Sequence, residues 1–143
     1  MTEKKEKLLS LLHKAFELEY NDTFSYLNEA QLFEFKTVDG ERVGGIFRKF
    51  NEFEQIHADK LSAKIIELGG KAQWNFKQFE PETSLRKALE KHIGAEADAY
   101  RVYTQLIESC EDKGFVLLLK GIREEEKDHL EKVKHILKKL ESK

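Results

Sequence analysis

The chain has 143 residues, of which 40% are hydrophobic and 36% charged, with one proline, eight glycines and a net charge of −2. That length builds one domain with a real core and is too short for two comfortable ones, so residues 1–143 read as a single domain. The interspersed charge leaves no basic footprint for nucleic acid. No apolar run spans a membrane, the charged start Met1-Thr2-Glu3-Lys4-Lys5 has no signal-peptide core behind it, and the lone Cys110 excludes an internal disulfide. The cytoplasm is the expected compartment.

Few turn residues favour few, long elements, and the apolar periodicity predicts an all-α chain of four helices. The first covers residues 5–35, with an inward stripe of Leu8, Leu12, Ala15, Glu19, Asp22, Tyr26 and Ala30 stepping by three and four. The segment Thr37–Gly45 carries Asp-Gly and Gly-Gly turn signals and predicts a break. Helix two follows over residues 45–68, reading Phe47, Phe50, Glu54, His57, Leu61, Ile65 and Leu68 until Gly69-Gly70 stops it.

Residues 71–82 hold Pro81, Trp74, Phe76 and Phe79 without helical period, and read as a long crossover pinned to the bundle. Thr83 or Ser84 caps helix three, expected over residues 83–111 with a stripe of Leu85, Leu89, His92, Glu96, Ala99, Tyr103, Leu106 and Cys110. A turn at Asp112-Lys113-Gly114 leads into helix four, residues 115–141, reading Leu119, Ile122, Glu126, His129, Val133, Ile136 and Leu140. The halves repeat each other. Glu19 precedes Tyr26 as Glu96 precedes Tyr103, and Glu54-x-x-His57 matches Glu126-x-x-His129. Two helical hairpins joined by one crossover explain the repeat.

A Glu and a His three apart on a helix project from one face and can grip one metal together. One such pair carries little weight. Here Glu19, Glu54, Glu96 and Glu126 all fall on apolar stripes, where an ionised carboxylate is rarely buried without a partner. Four converging there would repel one another and raise each other's pKa. Two divalent cations supply the four positive charges needed for neutrality. Oxygen-rich ligation with two imidazoles suits iron or manganese better than zinc or copper.

These residues resemble the ferritin-like superfamily over nearly the whole chain, whose carboxylate-bridged bundles place a Glu on each of two helices and Glu-x-x-His on the other two. The run from Glu54 to Gly70 is similar to bacterioferritin, and the ligand set also resembles the rubrerythrins. The resemblance implies two iron ions per chain, held by Glu19, Glu54, His57, Glu96, Glu126 and His129, with Glu54 and Glu126 bridging. No haem is expected, because Gln55 stands where bacterioferritin has its haem-binding methionine; Ala99 stands where rubrerythrins have an extra glutamate. The chain stops soon after helix four, without the fifth helix of cage-forming ferritins, which points to a homodimer or small homo-oligomer.

The implied function is oxidation of Fe(II) by oxygen or hydrogen peroxide, as a ferroxidase, an iron-handling protein or a peroxide-defence enzyme. Glu54 and Glu126 carry that chemistry, flanked by Tyr26 and Tyr103, whose expected role is a hydrogen bond to a ligand carboxylate. Asp22 and His92 read as supports around the ligands, Cys110 as a packed thiol, and His13 and His135 as solvated. One rival is a diiron oxygenase or oxidase acting on a small organic substrate, with Phe50 and Phe53 lining its pocket or filling the core. Another is a non-catalytic metal-binding helical module.

Overall fold

The computed structural model describes residues 3–34, 40–73, 82 and 84–141, with side chains for all of these except 32–34, 40, 41 and 141. Four helices result: α1 (Glu3–Glu34), α2 (Gly40–Glu67), α3 (Leu85–Ser109) and α4 (Lys113–Glu141), with no strand among the described residues. The hairpins α1–α2 and α3–α4 pack along their length and α1 lies against α3, whereas α2 and α4 touch sparingly. The predicted crossover with Trp74, Phe76, Phe79 and Pro81 lies outside the described residues, as does Thr83. No helix is long and apolar enough to cross a membrane among those described.

Local chemistry sets most of the helix ends. At the end of α2, Gly69 takes a left-handed φ of 86°, the Gly70 N–H donates to the Ile65 carbonyl and the Gly69 N–H to that of Ile66, which together satisfy two terminal carbonyls. Ser84 caps α3, its hydroxyl accepting from the Lys87 N–H at 3.2 Å. Asp112 caps α4 by accepting from the Phe115 N–H at 3.2 Å, so that helix begins ahead of Gly114 instead of after it.

The start of α2 departs from expectation. The predicted break runs through Gly44-Gly45, yet both are helical, because α2 already begins at Gly40. Each glycine costs a helix about 1 kcal/mol. Val43 and Phe47 on either side are 1% and 0% exposed within one core cluster, and burying two such side chains stabilises by roughly 1.5–3 kcal/mol each. Tertiary burial outweighs the local signal.

The interior has three storeys. One apolar cluster, including Leu12, Phe16, Leu61, Ile65, Leu106 and Leu119, fills the end near the α3–α4 turn. Another, including Ala30, Val43, Phe47, Leu85, Leu89 and Val133, fills the opposite end. The glutamates and histidines of the predicted stripes lie between them, on all four helices. Lys64 of α2 ties the first end shut, reaching Asp112 at 2.8 Å and Glu67 at 3.0 Å while lying 4.8 Å from the Phe115 ring centre.

Candidate metal centre

All six predicted ligands are brought into that middle storey and almost fully withdrawn from solvent: Glu19, Glu54, Glu96 and Glu126 are 0% exposed, His57 1% and His129 2%. The spacing explains why. Each glutamate sits at helical period with core residues before and after it, so packing the apolar stripe carries the carboxylate inward. Stability from the two apolar ends offsets the polar layer they enclose.

The donors fall into two groups. Glu19, Glu54, His57 and Glu126 present ligand atoms within 4.8 Å of one another, and so do Glu54, Glu96, Glu126 and His129. Glu54 and Glu126 belong to both. In the first group, His57 Nδ1 lies 2.9 Å from Glu126 and 3.0 Å from Glu19; in the second, His129 Nδ1 lies 3.1 Å from Glu54. The Tyr103 hydroxyl donates to Glu19 at 3.0 Å and the Tyr26 hydroxyl to Glu96 at 2.8 Å, so both tyrosines cross the bundle to hold a carboxylate.

The electrostatics are those of a cluster short of positive charge. Burial first, and the neighbouring Glu126 second, hold Glu54 and Glu96 well above the usual carboxylate range. The same two causes lift Glu19 to about 7 against opposing hydrogen bonds from His57. Burial alone would raise Glu126, but hydrogen bonds from Glu96 and His57 bring it down to about 2. Burial opposes a charged His57 as well, and its hydrogen bonds to Glu126 and Glu19 still raise it to about 11. Without cations, protons must do part of the neutralising. Oxygen atoms Glu54 Oε2, Glu96 Oε2 and Glu126 Oε2 are nonetheless buried with no hydrogen-bond partner. Buried carboxylate oxygens are seldom left so. Two convergent donor groups with orphaned oxygens fit a pair of metal ions.

Other polar side chains surround the layer. Asp22 is 7% exposed, its Oδ2 lacks a partner, and it belongs to neither donor group. His92 is also outside both groups. Its Nε2 meets Glu29 Oε2, and its ring stacks on Tyr26 with centroids 3.9 Å apart. Glu29, 0% exposed, is a residue that sequence reasoning missed, although its place one turn beyond Tyr26 on the same stripe was a usable signal. It also lies 3.3 Å from the Ser25 hydroxyl and 3.8 Å from Lys91. Glu125 was missed too: 44% exposed, it meets His57 Nε2 from the solvent side. Nothing in its spacing announced that contact. His135 is exposed as expected, whereas His13 is half-buried and Cys110 is a free, half-buried thiol.

Four long helices around a buried glutamate–histidine layer define the class: a carboxylate-rich, metal-binding four-helix bundle. The model of the ferritin-like domain family matches residues 9–143, and the chain belongs to that family. Solved structures agree on the fold. A ferritin-like, diiron-carboxylate protein from Bacillus anthracis str. Ames superposes with a TM-score of 0.89 at 21% identity, covering 96% of this chain and 99% of its own. The bacterioferritin of Desulfovibrio desulfuricans, described with a diiron site in different catalytic states, gives 0.86 at 22% identity, covering 97% of this chain and 82% of its own. No curated protein matches the chain.

Proposed function

We propose that this chain is a diiron protein that oxidises Fe(II) with oxygen or hydrogen peroxide, serving as a ferroxidase, in iron handling or in peroxide defence. The observation that carries the reading is the sharing of Glu54 and Glu126 between two convergent donor groups, the arrangement a bridged metal pair requires. Glu19 and His57 complete one position; Glu96 and His129 complete the other. Donors of this kind suit iron or manganese. The choice of iron draws on the diiron sites described for the two similar structures.

Held by these donors, two iron ions would supply the redox chemistry, one electron each to the oxidant. The remaining work belongs to the chain. Tyr103 and Tyr26 fix the orientation of Glu19 and Glu96 by donating to them. Glu54 and Glu126, the donors common to both groups, would serve both ions and are the residues proposed as catalytic. The buried apolar storeys on either side exclude water. Loading two cations releases the protons that Glu54 and Glu96 hold without metal, so binding tightens as pH rises. A cytoplasmic homodimer or small homo-oligomer is the proposed setting.

Anaerobic Fe(II) titration of the full chain tests the reading. Two tight equivalents per chain, lost in Glu54→Ala/Glu126→Ala, support it and allow oxygen to be compared with peroxide as oxidant. Wild-type protein that binds no iron sinks it. A second reading, an oxidase acting on a small organic substrate, draws on a cavity beside His129, lined in part by Phe50 and Phe53.

A further inference from the structure

The Glu29–His92 pair lies outside both donor groups, and stability does not account for it. Both residues are buried, Glu29 at 0% and His92 at 1% exposure, and they meet between Oε2 and Nε2. Such a pair gives up its hydration, and apolar side chains of similar volume often serve stability as well or better. His92 Nδ1 adds to the cost, since it is buried with no hydrogen-bond partner. The other half of the bundle does without the pair. His92 stands four residues before Glu96, and Ala15 four before Glu19; Glu29 stands ten residues after Glu19, and Leu106 ten after Glu96. Ala15 and Leu106 are both fully buried, so the fold accepts apolar residues at these two places.

The pair does adjoin one metal position through a tyrosine. The His92 ring stacks on Tyr26, with centroids 3.9 Å apart and planes 12° from parallel. Phe47 and Phe50 meet the Tyr26 ring edge-on, each at 5.2 Å, so the ring is clamped by three others. Its hydroxyl donates to Glu96 Oε1 at 2.8 Å, while Glu96 Oε2 has no partner. Glu29 is held in turn, its Oε1 lying 3.3 Å from the Ser25 hydroxyl and 3.8 Å from Lys91. We propose that Glu29 and His92 are positioning residues for the Glu96–His129 metal position. Glu29 fixes the plane of the imidazole, the imidazole fixes the plane of the Tyr26 ring, and the ring places the hydroxyl that holds Glu96 Oε1 and leaves Oε2 for the ion. The inference deepens the diiron reading and rests on it. Tyr103 holds Glu19 without such a pair behind it, so the effect is confined to one position.

Co(II) is the probe, followed by its visible absorption on the full chain. Glu19→Ala isolates the Glu96–His129 position, and Glu96→Ala the Glu19–His57 position. Adding Glu29→Leu/His92→Ala should weaken Co(II) by about tenfold in the first background and leave the second unchanged, with helix content unaltered by circular dichroism. Glu29→Leu/His92→Leu serves if that variant does not fold. Once Tyr26→Phe has removed the hydroxyl, the same pair of changes should cost nothing further. Unchanged affinity at the Glu96–His129 position overturns the proposal. So does an equal loss at both positions, or the same loss with Tyr26→Phe in place, either of which assigns the pair to packing alone. Wild-type chain that takes up no Co(II) overturns the metal reading and this inference together; two equivalents indifferent to the pair overturn the inference alone.

Discussion

The two donor groups have the same kinds of inner side chain and unlike surroundings. The repeat that carries Glu19 to Glu96, Tyr26 to Tyr103 and Glu54-x-x-His57 to Glu126-x-x-His129 breaks down one layer further out. His57 has a carboxylate, Glu125, on its outer nitrogen; the residue in the matching place beside His129 is Phe53, whose ring packs edge-on at 5.3 Å. Behind Glu96, Tyr26 stacks on His92, which is paired with buried Glu29. The matching places behind Glu19 are filled by Ala15 and Leu106, both 0% exposed. One position thus has a carboxylate-supported imidazole and an apolar backing. The other has an imidazole set among aromatics and a buried ionisable pair in its backing.

The lesson is that the two hairpins repeat each other in the inner donors and differ in the layer that supports them. A carboxylate on the outer nitrogen fixes the imidazole's tautomer and raises its basicity. The His57 position should therefore bind its ion more tightly than the His129 position, and two equivalents should fill in sequence.

The largest expected effect comes from cutting the repeat at its inner layer. Glu19→Ala and Glu96→Ala should each reduce an anaerobic Fe(II) titration from two tight equivalents to one, with Glu96→Ala keeping the tighter of the two. Equal residual affinities would remove the asymmetry argued above.

Next comes the buried Glu29–His92 pair. Removing one partner leaves the other buried and unpaired, and such changes cost about 3–5 kcal/mol. Glu29→Leu should thus lower the denaturant midpoint sharply. Copying the opposite half with Glu29→Leu/His92→Ala should recover most of the loss, since apolar replacement of a buried pair is often neutral. A double variant no more stable than the single one would show that the pair does more than satisfy itself.

Glu125→Ala should weaken one of the two equivalents by about 10–100-fold, the usual cost of losing a ligand's hydrogen-bond partner. Phe53→Leu, at the matching place, should change neither equivalent comparably. Isothermal titration of both variants compares them directly.

The smallest effect is a slope. Glu19 is raised from the usual 4.5 to about 7, and Glu54 and Glu96 are raised as well, so without metal the folded state keeps protons the unfolded state has lost. Stability then falls as pH rises from about 5 toward 8. His57, raised from 6.5 to about 11, adds stability that is complete below 6.5 and drains away as pH climbs toward 11, in the same direction. Glu126, lowered to about 2, opposes them only below its ordinary 4.5, where its contribution is lost as the carboxylate protonates. Thermal melts of metal-free protein should decline across that interval, and added divalent metal should flatten the decline. A metal-free melting temperature that rises from pH 5 to 8 would contradict the protonated cluster.

Much of this was readable from the chain alone, because helical period is a local property. Apolar residues at steps of three and four fix which side of each helix turns inward, and the glutamates and histidines on those stripes go inward with them. That is enough to specify four helices, a polar middle storey and the six donors within it. The glycine pair at Gly44-Gly45 was misleading because its cost is local while the burial of Val43 and Phe47 that overrides it is not. Glu125 on His57 and Glu29 on His92 were decided only when the helices packed. Which side chains meet across a bundle depends on stagger and rotation of a few ångströms, set by the whole core together. A sequence pattern names the face of a helix; what that face meets belongs to the tertiary structure.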